Sequence, residues 1–303
     1  MRTAFINYLT TLAKSHPKLF LIVGDLGYSV VEEFAELFPD RFLNAGVAEQ
    51  NMTGVAAGLA SEGFHVFTYS IANFPTLRCL EQIRNDICYH KLPVTIVSVG
   101  AGVAYGNLGY SHHAVQDIAI MRTLPGLSIL SPSDPGEVVE CMDYIISNPG
   151  PSYLRLGKSG EKSLHSVTGV KDGPLWVRKG ATETALVATG SVLSVALEAA
   201  NHLESVYGLS PSVFSCPLIT SVSDGFFDSL TRFKYLITLE EHIDSGGLGE
   251  LLAVICGQKS LIVKISLSND AVYRVGSQSY LRKCSGLFVD RVVEIFLSIE
   301  AKK

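Results

Sequence analysis

Leu19-Phe20-Leu21-Ile22-Val23 is an unbroken apolar run, followed by the turn-like Gly24-Asp25-Leu26-Gly27. A strand with one wet face alternates apolar and polar side chains. A continuous run of this length predicts a strand covered on both faces. Comparable short runs recur at 65–69, 94–99, 128–130 and 152–156. Stretches with helical apolar spacing lie between them, near 3–14, 30–38, 49–62, 73–90, 114–123 and 134–147. Such alternation predicts an α/β domain with a mostly parallel sheet and helices on both faces.

The pattern pauses where Gly157, Gly160, Gly169, Gly173, Pro174 and Gly180 gather with several charges, a linker composition with room for one stray strand. It resumes with strands at 185–188, 212–215, 235–239 and 261–265, and helices near 191–207, 247–257 and 287–298. The expected organisation is two α/β domains, at 1–160 and 181–303, joined by a linker at 161–180. A chain of 303 residues accommodates two domains of ordinary size.

Composition narrows the function classes. Apolar residues make up 47% and charged residues 17%, enough for two cores and an interface besides. The net charge of -5 with no basic block argues against nucleic acid or an anionic membrane as partner. No uncharged apolar run approaches the roughly 18 residues of a spanning helix, so a cytoplasmic protein is expected. Cys79, Cys88, Cys141, Cys216, Cys256 and Cys284 form no CxxC pair, and reduced, mostly buried thiols are expected. Gly100-Ala101-Gly102 is not a dinucleotide fingerprint, because Tyr105 stands where GxGxxG needs its third glycine.

Gly46-Val47-Ala48-Glu49-Gln50-Asn51-Met52 opens an unusual helix. Met52, Val55, Ala56 and Leu59 follow core spacing, yet Gly54 and Gly58 each cost roughly 1 kcal/mol against alanine. Close approach of another backbone, within the chain or from a neighbouring protomer, would explain them. Gly63 is placed to end the helix. By spacing alone Glu49 is a first-turn carboxylate favoured by the helix dipole. Its apolar neighbours Val47, Ala48, Met52 and Val55 offer the alternative of a carboxyl group that shares a proton with a ligand nitrogen.

The run from Phe42 to Ala60 closely resembles transketolases, and also 1-deoxyxylulose-5-phosphate synthases and the β subunits of 2-oxoacid dehydrogenases. The resemblance implies a thiamine diphosphate-binding pyrimidine domain followed by a transketolase C-terminal-like domain. It implies that Glu49 is catalytic and hydrogen-bonds N1′ of the cofactor's aminopyrimidine ring. Phe67-Thr68-Tyr69-Ser70-Ile71-Ala72-Asn73-Phe74 matches the stretch whose aromatic stacks on that ring; Phe74 takes the stacking role, with Tyr69 nearby, unless both are ordinary core aromatics. Asp25 matches an aspartate near the thiazolium ring.

Gly106-Asn107-Leu108-Gly109-Tyr110-Ser111-His112-His113 aligns with the family's Asp-Gly-Pro-Thr-His-Gln. His112 falls on the catalytic histidine near the reacting carbon, where imidazole donates to or shuttles a proton from a developing alkoxide. Leu108 replaces the signature aspartate, and His113 replaces its glutamine as a further substrate contact. Adjacent histidines lack metal-ligand spacing, so no metal ligands are expected here. Gly150-Pro151-Ser152-Tyr153-Leu154-Arg155-Leu156-Gly157-Lys158 matches the end of the pyrimidine domain. Arg155 and Lys158 are either substrate-phosphate ligands or a solvated pair.

The family's Gly-Asp-Gly…Asn diphosphate motif is absent from the sequence. The resemblance therefore implies a split enzyme. An N-terminal transketolase subunit would carry the diphosphate-binding domain and hold Mg2+ or a similar ion, in an α2β2 heterotetramer sharing thiamine diphosphate. The expected reaction is transfer of a two-carbon ketol unit between sugar phosphates or related sugars. The alternatives are a 2-oxoacid dehydrogenase β-type or deoxyxylulose-phosphate synthase-type subunit, and a non-catalytic paralogue that only binds a partner.

Overall fold

The computed structural model describes residues 1–220 and 225–302. Its first half runs α1 (Arg2–Ser15), β1 (Leu19–Val23), α2 (Glu32–Leu37), β2 (Phe42–Asn44), α3 (Glu49–Ser61), β3 (His65–Ile71), a short α4 (Leu80–Gln82), β4 (Val94–Val99), α5 (Asp117–Met121), β5 (Ser128–Leu130), α6 (Pro135–Ser147) and β6 (Ser152–Leu156). The second comprises β7 (Leu175–Arg178), β8 (Thr184–Ala188), α7 (Leu193–Tyr207), β9 (Ser212–Ser215), β10 (Tyr235–Ile243), α8 (Leu248–Cys256), β11 (Leu261–Leu267), α9 (Asn269–Val272), α10 (Gln278–Cys284) and α11 (Val289–Glu300). Two sheets result. The six-stranded one has the order β2-β1-β3-β4-β6-β5 and is wholly parallel. The five-stranded one, β11-β10-β8-β9-β7, is parallel except where β7 meets β9.

The period of two places alternate residues of one strand in different cores. In β3, Phe67 and Tyr69 face α1 and α6, packing with Phe5, Leu9, Val138 and Met142, while Val66 faces Met52, Ala56, Ile83 and Ile87. The first of these clusters does not stop at the domain boundary: it continues through Leu156, Ala185, Val187 and Phe214 to Leu248 and Leu252. The opposite face of the second sheet is covered by α7 and α11, through Leu193, Ala196, Leu203, Val292 and Phe296. The halves are therefore welded by a shared apolar core. No described helix is long and apolar enough to cross a membrane.

Local chemistry explains several boundaries. Asp134 caps α6 by accepting from Glu137 N at 2.9 Å, Pro135 opens it, and the Glu137 side chain accepts from Ser133 N at 2.6 Å. Gly63, at φ 85°, follows the end of α3, as expected.

Other expectations need correction. The helix expected over 73–90 is a broken path: a 3-10 turn at Leu77–Cys79, α4, then a π-helical turn at Ile83–Cys88. The one strand allowed for between 157 and 180 is present as β7, and it joins the second sheet. Close packing within the chain is not what Gly54 and Gly58 serve, since a Cβ at either would meet nothing within 4 Å.

Candidate active site

Because the first sheet is parallel, all its strand ends that lead into the following helices or loops lie along one edge, where ligands of α/β folds bind. Gly24 and Asp25 follow β1 there, Glu49 follows β2, Phe74 follows β3, the histidine loop follows β4 and Lys158 follows β6. Residues far apart along the chain are thus gathered by topology alone.

Glu49, the first residue of α3, is 2% exposed. Its Oε2 accepts a hydrogen bond from Arg78 Nη1 at 2.6 Å, while its Oε1 is buried without a partner. A carboxylate oxygen taken from water and left unsatisfied is costly in an interior, and marks a place built for another group. The Arg78 guanidinium lies 4.5 Å from the centre of the Phe74 ring, and Phe74 meets His112 edge to face at 5.2 Å. Asn73 Nδ2 donates to His113 O at 2.9 Å, tying the Phe74 turn to the histidine loop. Glu49, Phe74 and His112 are thereby linked through Arg78 and this turn.

His112 is half-buried, with Nδ1 3.0 Å from Ser111 Oγ. Burial, and then the neighbouring His113, push its pKa below the ordinary 6.5. The imidazole is therefore neutral at pH 7, able to accept a proton at one ring nitrogen while donating at the other. Asp25 sits at φ 55°, with its Oδ1 accepting from Asn44 Nδ2 at 3.0 Å and Tyr28 OH at 3.2 Å. This fixes its carboxylate at the open end of β1, and Tyr28 remains 71% exposed beside it.

Two expected ligand contacts, Tyr69 and Arg155, have other jobs, and His113 is held by the second domain through one ring nitrogen. Tyr69 lies near the end of β3 but is buried beneath the loop after β1 and stacked on Phe5 at 5.9 Å, because its position in β3 points to the α1 side. Arg155 is no phosphate ligand. It is buried, with Nε 2.6 Å from Asp117 Oδ2 and Nη2 donating to the carbonyls of Ala114 at 2.8 Å and Glu241 at 2.9 Å. The bonds to Asp117 and Ala114 stay within the first domain, and the bond to Glu241 O clasps the second domain to it. His113 is also buried, and its Nδ1 donates to Val272 O at 2.8 Å. A carbonyl only accepts, so Nδ1 carries the proton, and Nε2 is left buried without a partner.

Lys158 remains exposed at the end of β6. It lines a cavity of about 400 Å³ with Ser133, Lys162, Ser191, Gln278 and Arg282. Arg282 is fixed by Glu241 at 2.8 Å and Ser191 at 2.7 Å. A larger cavity, about 600 Å³ between Arg84, Tyr89, Pro125 and Pro151, lies by the strand starts and so away from this edge. Among the described residues, no three His, Cys, Asp or Glu side chains cluster in a way that could hold a metal ion.

Sequence reading missed Arg78 and Arg282. The four-residue spacing from Phe74 to Arg78 is compatible with stacking on one turn, and was the available signal for the first. Arg282 comes from the far end of the chain, and nothing local marks it. Arg2 was also missed: its Nε is buried without a partner at the start of α1.

Residues 1–160 match the family described as transketolase, pyrimidine binding domain, and residues 175–289 match transketolase, C-terminal domain. A subunit of the apulose-4-phosphate transketolase of Actinobacillus succinogenes is 32% identical over 278 residues, covering 89% of this chain and 88% of its own. A putative transketolase C-terminal section from Methanocaldococcus jannaschii is 33% identical over 296 residues, covering 95% and 92%. A split-gene transketolase solved as an inactive β4 tetramer superposes with a TM-score of 0.85 at 32% identity, covering 97% of this chain and 95% of that one. The chain belongs to the transketolase family of transferases, and carries that family's pyrimidine-binding and C-terminal domains.

Proposed function

We propose that this chain is the pyrimidine-side subunit of a split transketolase that moves a two-carbon ketol unit between phosphorylated sugars. The observation that carries the reading is Glu49 Oε1, buried and unpartnered beside Phe74 and His112 at the open sheet edge. That oxygen suits the N1′ atom of an aminopyrimidine, and Phe74 offers the flat apolar surface for the ring. When bound, thiamine diphosphate supplies the carbon nucleophile and electron sink of ketol transfer. Glu49 holds or shares a proton at the ring nitrogen, and Asp25 stands at the same edge. His112 donates to the carbonyl oxygen that gains charge as a C–C bond forms, and takes the hydroxyl proton as a C–C bond breaks.

Lys158 is the substrate-phosphate ligand in this reading. It is exposed, unlike Arg155, and lines a cavity with serines, the fixed cation Arg282 and the carboxylates Glu161 and Glu198. Sugar phosphate as substrate class agrees with the name of the apulose-4-phosphate relative. Leu108, where the family signature has aspartate, cannot accept a hydrogen bond from a sugar hydroxyl, so that contact of the signature is not made by this side chain.

A diphosphate-binding subunit completes the enzyme, with Mg2+ held on its side, in an α2β2 assembly. The uncovered rim supports this: Tyr28, Val47, Leu108 and Tyr110 are large apolar or aromatic residues exposed around the site. The unbonded cysteines fit a cytoplasmic enzyme.

The test is ketol transfer by this chain mixed with the diphosphate-binding subunit. Glu49→Gln is expected to lower kcat by about 10²-fold or more while the complex still assembles. Full activity in that variant would remove the basis of the reading. Assays of pyruvate against ketose phosphates as donor separate this reaction from decarboxylating relatives.

A further inference from the structure

We propose that Arg78 is the positioning residue of Glu49, holding one carboxylate oxygen so that only the other is presented to the aminopyrimidine. The assignment rests on the function proposed above. Three observations meet at this side chain. Its Nη1 is 2.6 Å from Glu49 Oε2, in a pair where the carboxylate is 1% and the arginine 45% exposed. Its guanidinium stacks at 4.5 Å from the Phe74 ring centre. Glu49 Oε1, the oxygen Arg78 does not touch, is the one left buried and unpaired.

A carboxylate with both oxygens free can turn about its last bond and offer either one. Pairing Oε2 to a planar guanidinium that is itself laid on an aromatic ring removes that freedom. The same cation balances a charge that would otherwise be isolated in an apolar setting before any ligand arrives. Arg78 enters from the open edge on the Leu77–Cys79 turn, so its position is set by what it stacks on and what it binds. Phe74 in turn contacts His112, so one side chain registers the carboxylate, the stacking ring and the histidine against each other.

The experiment measures, for the complex with the diphosphate-binding subunit, affinity for thiamine diphosphate and for an analogue with carbon in place of N1′. Calorimetry is run on the wild type, Arg78→Met and Arg78→Lys. The wild type is expected to prefer the natural cofactor by roughly 10- to 100-fold, the range of one hydrogen bond to a charged group. In Arg78→Met that preference collapses to within about threefold, because Glu49 no longer presents a fixed oxygen. Arg78→Lys keeps the charge without the stacking plane and is intermediate. If both affinities fall together in Arg78→Met with their ratio intact, Arg78 is only structural and the assignment is overturned.

Absence of thiamine diphosphate uptake by the wild-type complex overturns the functional reading, and this assignment with it. The free chain gives an independent check on folding. Arg78→Met lowers the thermal midpoint by stranding the Glu49 charge, and adding Glu49→Gln restores it. A midpoint that the second substitution leaves low would overturn the pairing.

Discussion

His112 carries the most direct prediction at the scale of single residues. Burial and His113 depress its pKa, so the folded protein favours the neutral ring. The group becomes charged only as pH falls below 6.5, which places loss of function on the acid side. The kcat/KM for ketol transfer is expected to fall on the acid side with its midpoint below 6.5; His112→Asn removes this acid limb and costs about 10²-fold or more. An unchanged limb in the variant would assign it to another group. Lys158 and Arg155, two basic residues three positions apart, should separate cleanly. Lys158→Met should raise KM for a phosphorylated donor about tenfold, as expected for one charge-assisted hydrogen bond, while leaving the thermal midpoint in place. Glu49 was visible in the sequence because its apolar neighbours and local motif are contiguous. The division between Arg155 and Lys158 was not visible, because both are basic residues at a strand end. Only the positions of Asp117 and the second domain decide which side chain is buried.

Among elements, the linker that follows β6 is held to α6 by a pH-sensitive strap. Asp134 Oδ2 accepts from Leu164 N at 2.6 Å, and His165 Nε2 lies 2.8 Å from Glu137 Oε1, so the linker is tied to the start of α6. Burial pushes the His165 pKa down, but the hydrogen bond and charge of Glu137, with Asp134 behind them, outweigh it and raise the value above 6.5. A histidine whose folded pKa is raised contributes stability that is whole below 6.5 and is lost as pH climbs through the raised value. Proteolytic cutting within 157–173 should therefore accelerate above pH 6.5 and become pH-independent in His165→Ala, which costs about 1–3 kcal/mol because it leaves the buried Glu137 oxygen without its donor. The sequence marked this stretch as a linker by its glycines and charges. It held no sign of the strap, which joins residues about thirty positions apart. The broken path over 77–88 was equally hidden, since a helical apolar period survives one π turn and one 3-10 turn with its buried face intact.

The whole molecule depends on how its two sheets are joined. A continuous apolar core crosses the boundary together with Arg155, which is paired with Asp117 inside the first domain and donates to Glu241 O of the second. Removing one partner of such a pair strands a buried charge, so Arg155→Met is expected to cost about 3–5 kcal/mol in denaturant unfolding. The loss should appear as a single cooperative transition at a lower midpoint; two separated transitions would show that the domains fold independently. The second domain also buttresses the histidine loop. Val272 accepts from His113, Gly276 N donates to Gly106 O at 3.2 Å, and Tyr273 stacks on Tyr110 at 5.4 Å. Deletion of residues 272–276 is expected to lower kcat in the assembled enzyme even though no residue there is assigned to the chemistry.

The sequence by itself determined the class of fold, because unbroken apolar strands alternating with amphipathic helices have few stable arrangements other than covered parallel sheets. It also determined the identity of Glu49, Phe74 and His112 as site candidates, since each lies in a short contiguous motif. Tertiary structure alone decided which neighbours those residues have. Arg78 paired with Glu49, Arg155 locked on Asp117, His113 turned to Val272 and Tyr69 sealed against Phe5 all depend on which element lies beside which. That order comes from chain crossovers and burial across large sequence separations, and leaves no period or motif for a linear reading to detect.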